Sequence, residues 1–205
     1  MVLVGLIGQT GAGKSEVCRL LEGHNIYIID GDRLAREVTA PGSPVLAALA
    51  AAFGGDILRA DGSLDRALLA SRAFADADSL ARLNAVTHPA ITKRTLRLLE
   101  EARAKGYRAA VFEGAALLES PLRAYCNFFA AVTAPAELRL SRILARDGIE
   151  KAAAESRMAA QREEAYYCAP ARVIIRSYPP YDLEMETQGL LKEITKTIEA
   201  KEEIN

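Results

Sequence analysis

Apolar positions along this chain fall into two kinds of pattern, short continuous runs and longer stretches with helical spacing. Val2-Leu-Val-Gly-Leu-Ile7 is a near-continuous apolar run, the signature of a parallel strand buried on both faces. Ile26 to Ile29, Ala109 to Phe112, Phe128 to Val132 and Val173 to Ile175 repeat it, which predicts about five strands. Between them Val17, Leu20 and Leu21 mark one helical face after Ser15, and Leu190, Leu191, Ile194 and Ile198 stripe a C-terminal helix. Strands separated by helices predict an α/β fold, a parallel sheet covered on both faces.

The passage from residue 33 to 106 reads as helical and is too long for an ordinary crossover, so we expect an inserted helical region there. Ser43-Pro44 has the chemistry of an N-cap and first helical position, Ala60 to Ser63 is a turn, and His88-Pro89 is expected to open a further helix that stops at Gly106. Pro135 is expected to start a helix to Arg146, with a second helix over 149–165, making residues 136–165 a small lid. With no repeat or linker in sight, the chain is read as one domain over residues 1–205.

Between the first strand and its helix stands Gly8-Gln-Thr-Gly11-Ala12-Gly13-Lys14-Ser15, a full phosphate-loop pattern with the flanks it requires. Its glycines let the backbone turn with amides facing inward, and the helix N-terminus adds partial positive charge. Lys14 supplies a cation for the β- and γ-phosphates of ATP, and the Ser15 hydroxyl is the expected protein ligand for Mg²⁺.

Three features bear on the reaction. Asp30-Gly-Asp32 lies at the carboxyl end of the second strand, the edge that faces ligands in open parallel sheets. A carboxylate there can take the proton of an attacking hydroxyl, and one of the pair can instead hold Mg²⁺ through water; a turn with an Asp cap is the other reading. Arg139, Arg142 and Arg146 share one helix face ahead of Asp147-Gly148, either as cations closing over transferring phosphate or as a solvated face. Glu113, after the third strand, suits an acid that orients a metal's water shell, or a buried cap. Arg36 and His88 are further candidates in the insertion, although His88 can equally be a helix-entry residue.

Composition narrows the class. The 205 residues carry 26 basic and 27 acidic side chains, a net charge of −1, which argues against a nucleic-acid backbone as main partner. Half the chain is apolar, yet no run approaches the roughly 20 residues of a membrane span. Met1 leads almost directly into a strand, so the cytoplasm is the expected location. Cys18, Cys126 and Cys168 are too scattered for a metal cluster and read as reduced thiols. An Asn-Lys-x-Asp guanine-reading motif is missing, against a regulatory GTPase.

With Asp30-Gly-Asp-Arg-Leu-Ala-Arg36, Pro41-Gly42, Phe53-Gly54, Ala60 to Arg66, Leu83-Asn84, His88-Pro89, Leu117-Leu-Glu119, Pro135 to Arg142, Arg146-Asp-Gly148 and Gln161, the chain resembles the dephospho-coenzyme A kinase family over about residues 3–175. The resemblance implies a P-loop kinase fold and Mg²⁺-assisted transfer from ATP to the ribose 3′-hydroxyl of dephospho-CoA, with no obligate protein partner evident. It places Asp32 as base, with Lys14 and Arg142 beside it. It assigns Gly8, Gly11, Ala12, Gly13, Lys14, Ser15, Glu16 and Arg146 to ATP, Ser15 and Glu113 to the metal, and Asp30, Arg36, His88 and Glu119 to the acceptor. The chain departs from the family pattern at Glu16, at Ala115-Ala116 and at Pro170 to Arg176, where Arg176 can stack on a base or face water.

Overall fold

A computed structural model describes residues 1–114 and 116–203; Ala115, one of the departures above, lies outside the described residues. Five strands, β1 (Val2–Ile7), β2 (Ile26–Asp30), β3 (Ala109–Glu113), β4 (Phe128–Thr133) and β5 (Ala171–Arg176), form one parallel sheet in the order β2-β3-β1-β4-β5. The continuous apolar runs divide by alternation between its two faces. Val2, Val4, Leu6, Ala109, Val111, Ala130 and Val132 pack with Val17 and Leu21 of α1 (Lys14–Leu21) and with Leu190 and Ile194 of α9 (Leu183–Glu202). Leu3, Ile7, Ala110, Phe112, Phe129 and Ala131 face the other way, against Leu34 of α2 (Gly31–Val38) and Ile91, Leu98 and Leu99 of α5 (Ala77–Ala104). Both faces are thus covered, as the runs predicted.

Between β2 and β3, α3 (Pro44–Phe53) and α4 (Arg66–Ala73) build a core of their own. Leu46, Leu49, Phe53, Ile57, Leu64, Leu69 and Ala73 are buried there. Each large apolar side chain fully buried there contributes about 1.5–3 kcal/mol against the entropy of ordering the chain. The expected caps are present: Ser43 Oγ accepts from Leu46 N at 3.1 Å, with Pro44 at the first helical position.

The expectation that His88-Pro89 opens a helix is corrected. Both lie inside α5, which starts twelve residues earlier at an Asp76 cap accepting from Ser79 N at 2.7 Å. A proline in a helix interior costs about 3 kcal/mol by removing one hydrogen bond and crowding a carbonyl. That cost is outweighed because α5 bridges two cores: Leu83 and Val86 before the proline pack on the insertion's core, while Ile91, Leu98 and Leu99 after it pack on the sheet. At the far end Tyr107 N bonds Ala102 O and Gly106 N bonds Arg103 O, the glycine stop the sequence indicated.

A second correction concerns 149–165. After α6 (Ala136–Asp147), the chain forms α7 (Lys151–Ala159) and α8 (Glu164–Cys168) with a break at Gln161 to Glu163. There the Arg162 carbonyl accepts from the Gln9 side chain at 2.9 Å, which takes it out of any helical ladder.

Candidate active site

The carboxyl ends of β1, β2 and β3 open on a cleft of about 870 Å³ whose lining includes Gly11, Gly13, Lys14, Ser15, Glu16, Asp30, Asp32, Glu113, Arg142 and Arg146. Residues from six separate stretches of sequence meet there, among them most of the predicted site. The phosphate loop joins β1 to α1. Gly8 has φ 140° and lies against the Val132 carbonyl so closely that a Cβ would collide with backbone, so β4 and the loop can touch only through glycine. Gly13 caps α1 at φ 105°, with Ser177 Oγ 2.5 Å from where its Cβ would be.

Lys14 is half-buried, with Nζ donating to Gly8 O (3.0 Å) and Gln9 O (3.3 Å). Burial lowers its pKa, opposed by the Glu113 and Asp32 carboxylates. Ser15 Oγ donates to Glu113 Oε1 at 3.1 Å, and the buried Cys18 thiol donates to Glu113 Oε2 at 3.6 Å. Glu113, the last residue of β3, is therefore fixed by two donors from α1, one turn apart. Burial, then Glu113 itself, push the Cys18 thiol well above the usual range, so it stays a neutral donor.

The two aspartates at the end of β2 have different environments. Asp30 is the N-cap of α2, its Oδ1 accepting from Asp32 N (2.9 Å) and Arg33 N (3.0 Å). Asp32 is exposed to the cleft, and its carboxylate accepts no hydrogen bond among the described residues. Both readings of Asp30-Gly-Asp32 therefore have a counterpart, a cap in the first residue and an open carboxylate in the second.

The three arginines of α6 separate into different environments. Arg139 is 7% exposed, bonds Ala134 O through Nε (3.2 Å), and leaves Nη1 without a partner among the described residues. It lies beneath the phosphate loop, its carbonyl 2.6 Å from a Cβ at Gly11, rather than on the cleft. Arg142 ties the loop to the end of β5, donating through Nη1 to Gly11 O (3.3 Å) and Ala12 O (3.2 Å) and through Nη2 to Ser177 O (2.6 Å). Arg146 forms a two-bond pair with Asp147 at 2.7 and 3.0 Å, and Arg157 of α7 binds the same carboxylate from the other side of the Gly148 turn. The paired guanidiniums hold the Asp147 carboxyl down at about 2.

Of the remaining candidates, Glu16 lies on the cleft rim and pairs with Arg19 at 2.5 Å. Ala12 is buried within the loop, and its carbonyl meets Arg142. Half-buried His88 stands within electrostatic reach of Glu119, whose Oε1 accepts from Tyr166 OH at 2.8 Å. Burial lowers the His88 pKa, with Glu119 acting the other way. Arg36 is exposed beside Arg66. Arg36, His88 and Glu119 lie outside the lining of the phosphate cleft. Arg176 puts its guanidinium 4.6 Å from the Tyr181 ring centroid and pairs with Glu186, so its stacking partner is internal.

Sequence reasoning missed three residues. Arg157 reaches the cleft wall; its usable signal is its place one helical turn before Gln161, on the same face. Cys18, read as a bland thiol, touches Glu113. Ser177 lines the cleft and supplies the carbonyl that Arg142 binds, and carried no signal at all.

Comparison with known proteins agrees with this geometry. The family described as dephospho-CoA kinase matches residues 2–178. The dephospho-CoA kinase of Streptomyces avermitilis is 42% identical over 182 residues, 89% of this chain and 88% of that one. That of Moorella thermoacetica is 45% identical over 165 residues, 80% and 78% of the two chains. Among solved structures, TT1252 from Thermus thermophilus superposes with a TM-score of 0.74 at 28% identity, covering 96% of this chain and 97% of its own. A match that runs from the phosphate loop through the helices between β2 and β3 to the end of β5 leaves little room for another assignment, and the chain belongs to the dephospho-CoA kinase family.

Proposed function

We propose that the chain transfers the γ-phosphoryl group of ATP to the ribose 3′-hydroxyl of dephospho-CoA, with Asp32 as the base. The observation that carries this reading is the open Asp32 carboxylate sharing one cleft with Lys14 and the phosphate loop. In the transfer the acceptor oxygen forms a bond to the γ-phosphorus, the bond from that phosphorus to the β–γ bridging oxygen breaks, and ADP leaves. The hydroxyl proton passes to Asp32. Lys14, which reaches over the loop, and Arg142, which spans the loop and the end of β5, are the cations that stabilise the charge spread over the phosphoryl oxygens.

Ser15 and Glu113 offer adjacent oxygens of the hard type that Mg²⁺ takes, and among the described residues no group of three metal-ligating side chains competes with them. They would hold the ion, whose part is to neutralise phosphate charge. Phosphate-loop amides and Arg146 serve ATP, with Glu16 at the rim. The insertion over residues 33–106 receives the acceptor, with His88, Glu119, Arg36 and Asp30 as its contacts, while residues 136–165 act as a lid. Among the described residues no helix is long and apolar enough to cross a membrane, and the three cysteines are free thiols, in keeping with a cytoplasmic enzyme.

The test is ADP formation from Mg-ATP with a panel of acceptors. We expect release that depends on dephospho-CoA. Release no faster with dephospho-CoA than with adenosine, AMP or shikimate overturns the proposal.

A further inference from the structure

Gln161 belongs to the motif set of the family resemblance, yet the transfer chemistry leaves it unused. It stands just past the C-terminal end of α7, where Gln161 N closes the last turn on Met158 O at 3.2 Å. Its Oε1 accepts from Thr10 N, in the phosphate loop, at 2.7 Å. Beside it Gln9 Nε2 donates to Arg162 O at 2.9 Å. Two hydrogen bonds, both donated from the loop side, therefore join residues 9 and 10 to residues 161 and 162, across 151 and 153 positions of sequence. One such bond would fix a distance and leave rotation free; two from consecutive residues fix the orientation as well.

What they orient is Arg157. It lies one helical turn before Gln161, on the cleft side of α7, and both residues line the cleft. Asp147 holds the Arg157 guanidinium at its tip, and the glutamine pair holds the helix behind it. We propose that Gln161 and Gln9 clasp the phosphate loop to α7, and that Gln161 is thereby a positioning residue that sets Arg157 over the ATP phosphates. This rests on the reading of the cleft as the ATP site. The clasp uses a loop amide, Thr10 N, and binds it with a neutral oxygen, so no negative charge is introduced beside the phosphates.

The first readout is hydrogen exchange of the Thr10 amide in the protein alone. Gln161→Ala should speed it at least tenfold, and Gln161→Glu, which keeps an acceptor at the same reach, should restore protection. The second is steady-state kinetics. Gln161→Ala should raise KM for ATP about fivefold, the weight of one net hydrogen bond, with KM for dephospho-CoA unchanged. In an Arg157→Ala background the same substitution should add less than twofold, because the residue it positions is gone. Gln9→Ala should reproduce the KM effect through the other bond. Unchanged Thr10 exchange in Gln161→Ala overturns the clasp. Faster exchange with KM for ATP unchanged, or full additivity with Arg157→Ala, overturns the positioning role. Exchange that responds as expected in a protein that makes no ADP from dephospho-CoA upholds the clasp and sinks the functional reading instead.

Discussion

Replacing Asp32 by Asn separates chemistry from folding because the structure bounds the folding cost in advance. The Asp32 side chain is exposed and accepts no hydrogen bond among the described residues, so an amide of the same shape fits without rearrangement. Its contribution to the helix is negative charge in the first turn of α2, worth about 0.3–1 kcal/mol at an exposed helix N-terminus. Loss of a general base lowers turnover by roughly 10²-fold or more, and a hundredfold is about 2.7 kcal/mol of barrier. The catalytic effect should therefore exceed the stability effect by a factor of at least about three. Asp30→Asn is the control. Asn caps a helix about as well as Asp, so the bonds from Asp32 N and Arg33 N survive and turnover should fall less than tenfold. The assay is coupled ADP release, with ATP affinity by calorimetry and a thermal melt beside it. We expect Asp32→Asn to bind ATP like the wild type and to turn over at one hundredth of its rate or less. Turnover above a tenth of wild type refutes the assignment, and a large loss in Asp30→Asn alone moves the base to Asp30.

Two further outcomes follow from the ionisable groups. Asp147 should titrate at about 2 by NMR, and Arg146→Ala should return it toward the ordinary carboxylate range, since Arg146 is the larger cause. Its folded-state pKa is depressed, so its contribution to stability is complete above about pH 4 and is lost as pH falls toward 2; a wild-type midpoint near 4 would contradict the pairing with Arg146 and Arg157. Cys18, buried and facing a carboxylate, should resist a thiol reagent at pH 8 and react only at the rate of unfolding; rapid labelling in the native protein would show that it does not lie against Glu113.

The sheet was legible because its central strands β1, β3 and β4 are buried on both faces, and a run such as Val2 to Ile7 announces that without reference to any partner. The caps at Ser43 and the stop at Gly106 were legible for the same reason: they are satisfied within four residues of themselves. Expectations that depended on distant chain fared differently. Pro89 looked like a helix start because local chemistry favours that, and only two cores at opposite ends of α5 explain why the helix runs through it. Arg139, Arg142 and Arg146 share a face by spacing, but spacing says nothing of depth, and the phosphate loop lying on Arg139 makes it an interior residue.

The site divides along the same line. Lys14, Ser15 and Asp32 reach the cleft from the start of a helix, where the local chain puts them, and a motif can find them. Glu113 depends on Cys18 and Ser15, ninety-five and ninety-eight positions away, and Arg157 on a carboxylate ten residues back and a clasp to the phosphate loop. Ser15, Asp147 and Gln161 stand in motifs and Cys18 and Gln9 do not, but for none of them does the local sequence say which residue it holds. Their meaning arises from parallel topology, which brings every β-strand's carboxyl end to one edge and so makes neighbours of loops that the sequence keeps apart. Which side chain each of these groups holds is therefore what the fold adds to the motifs.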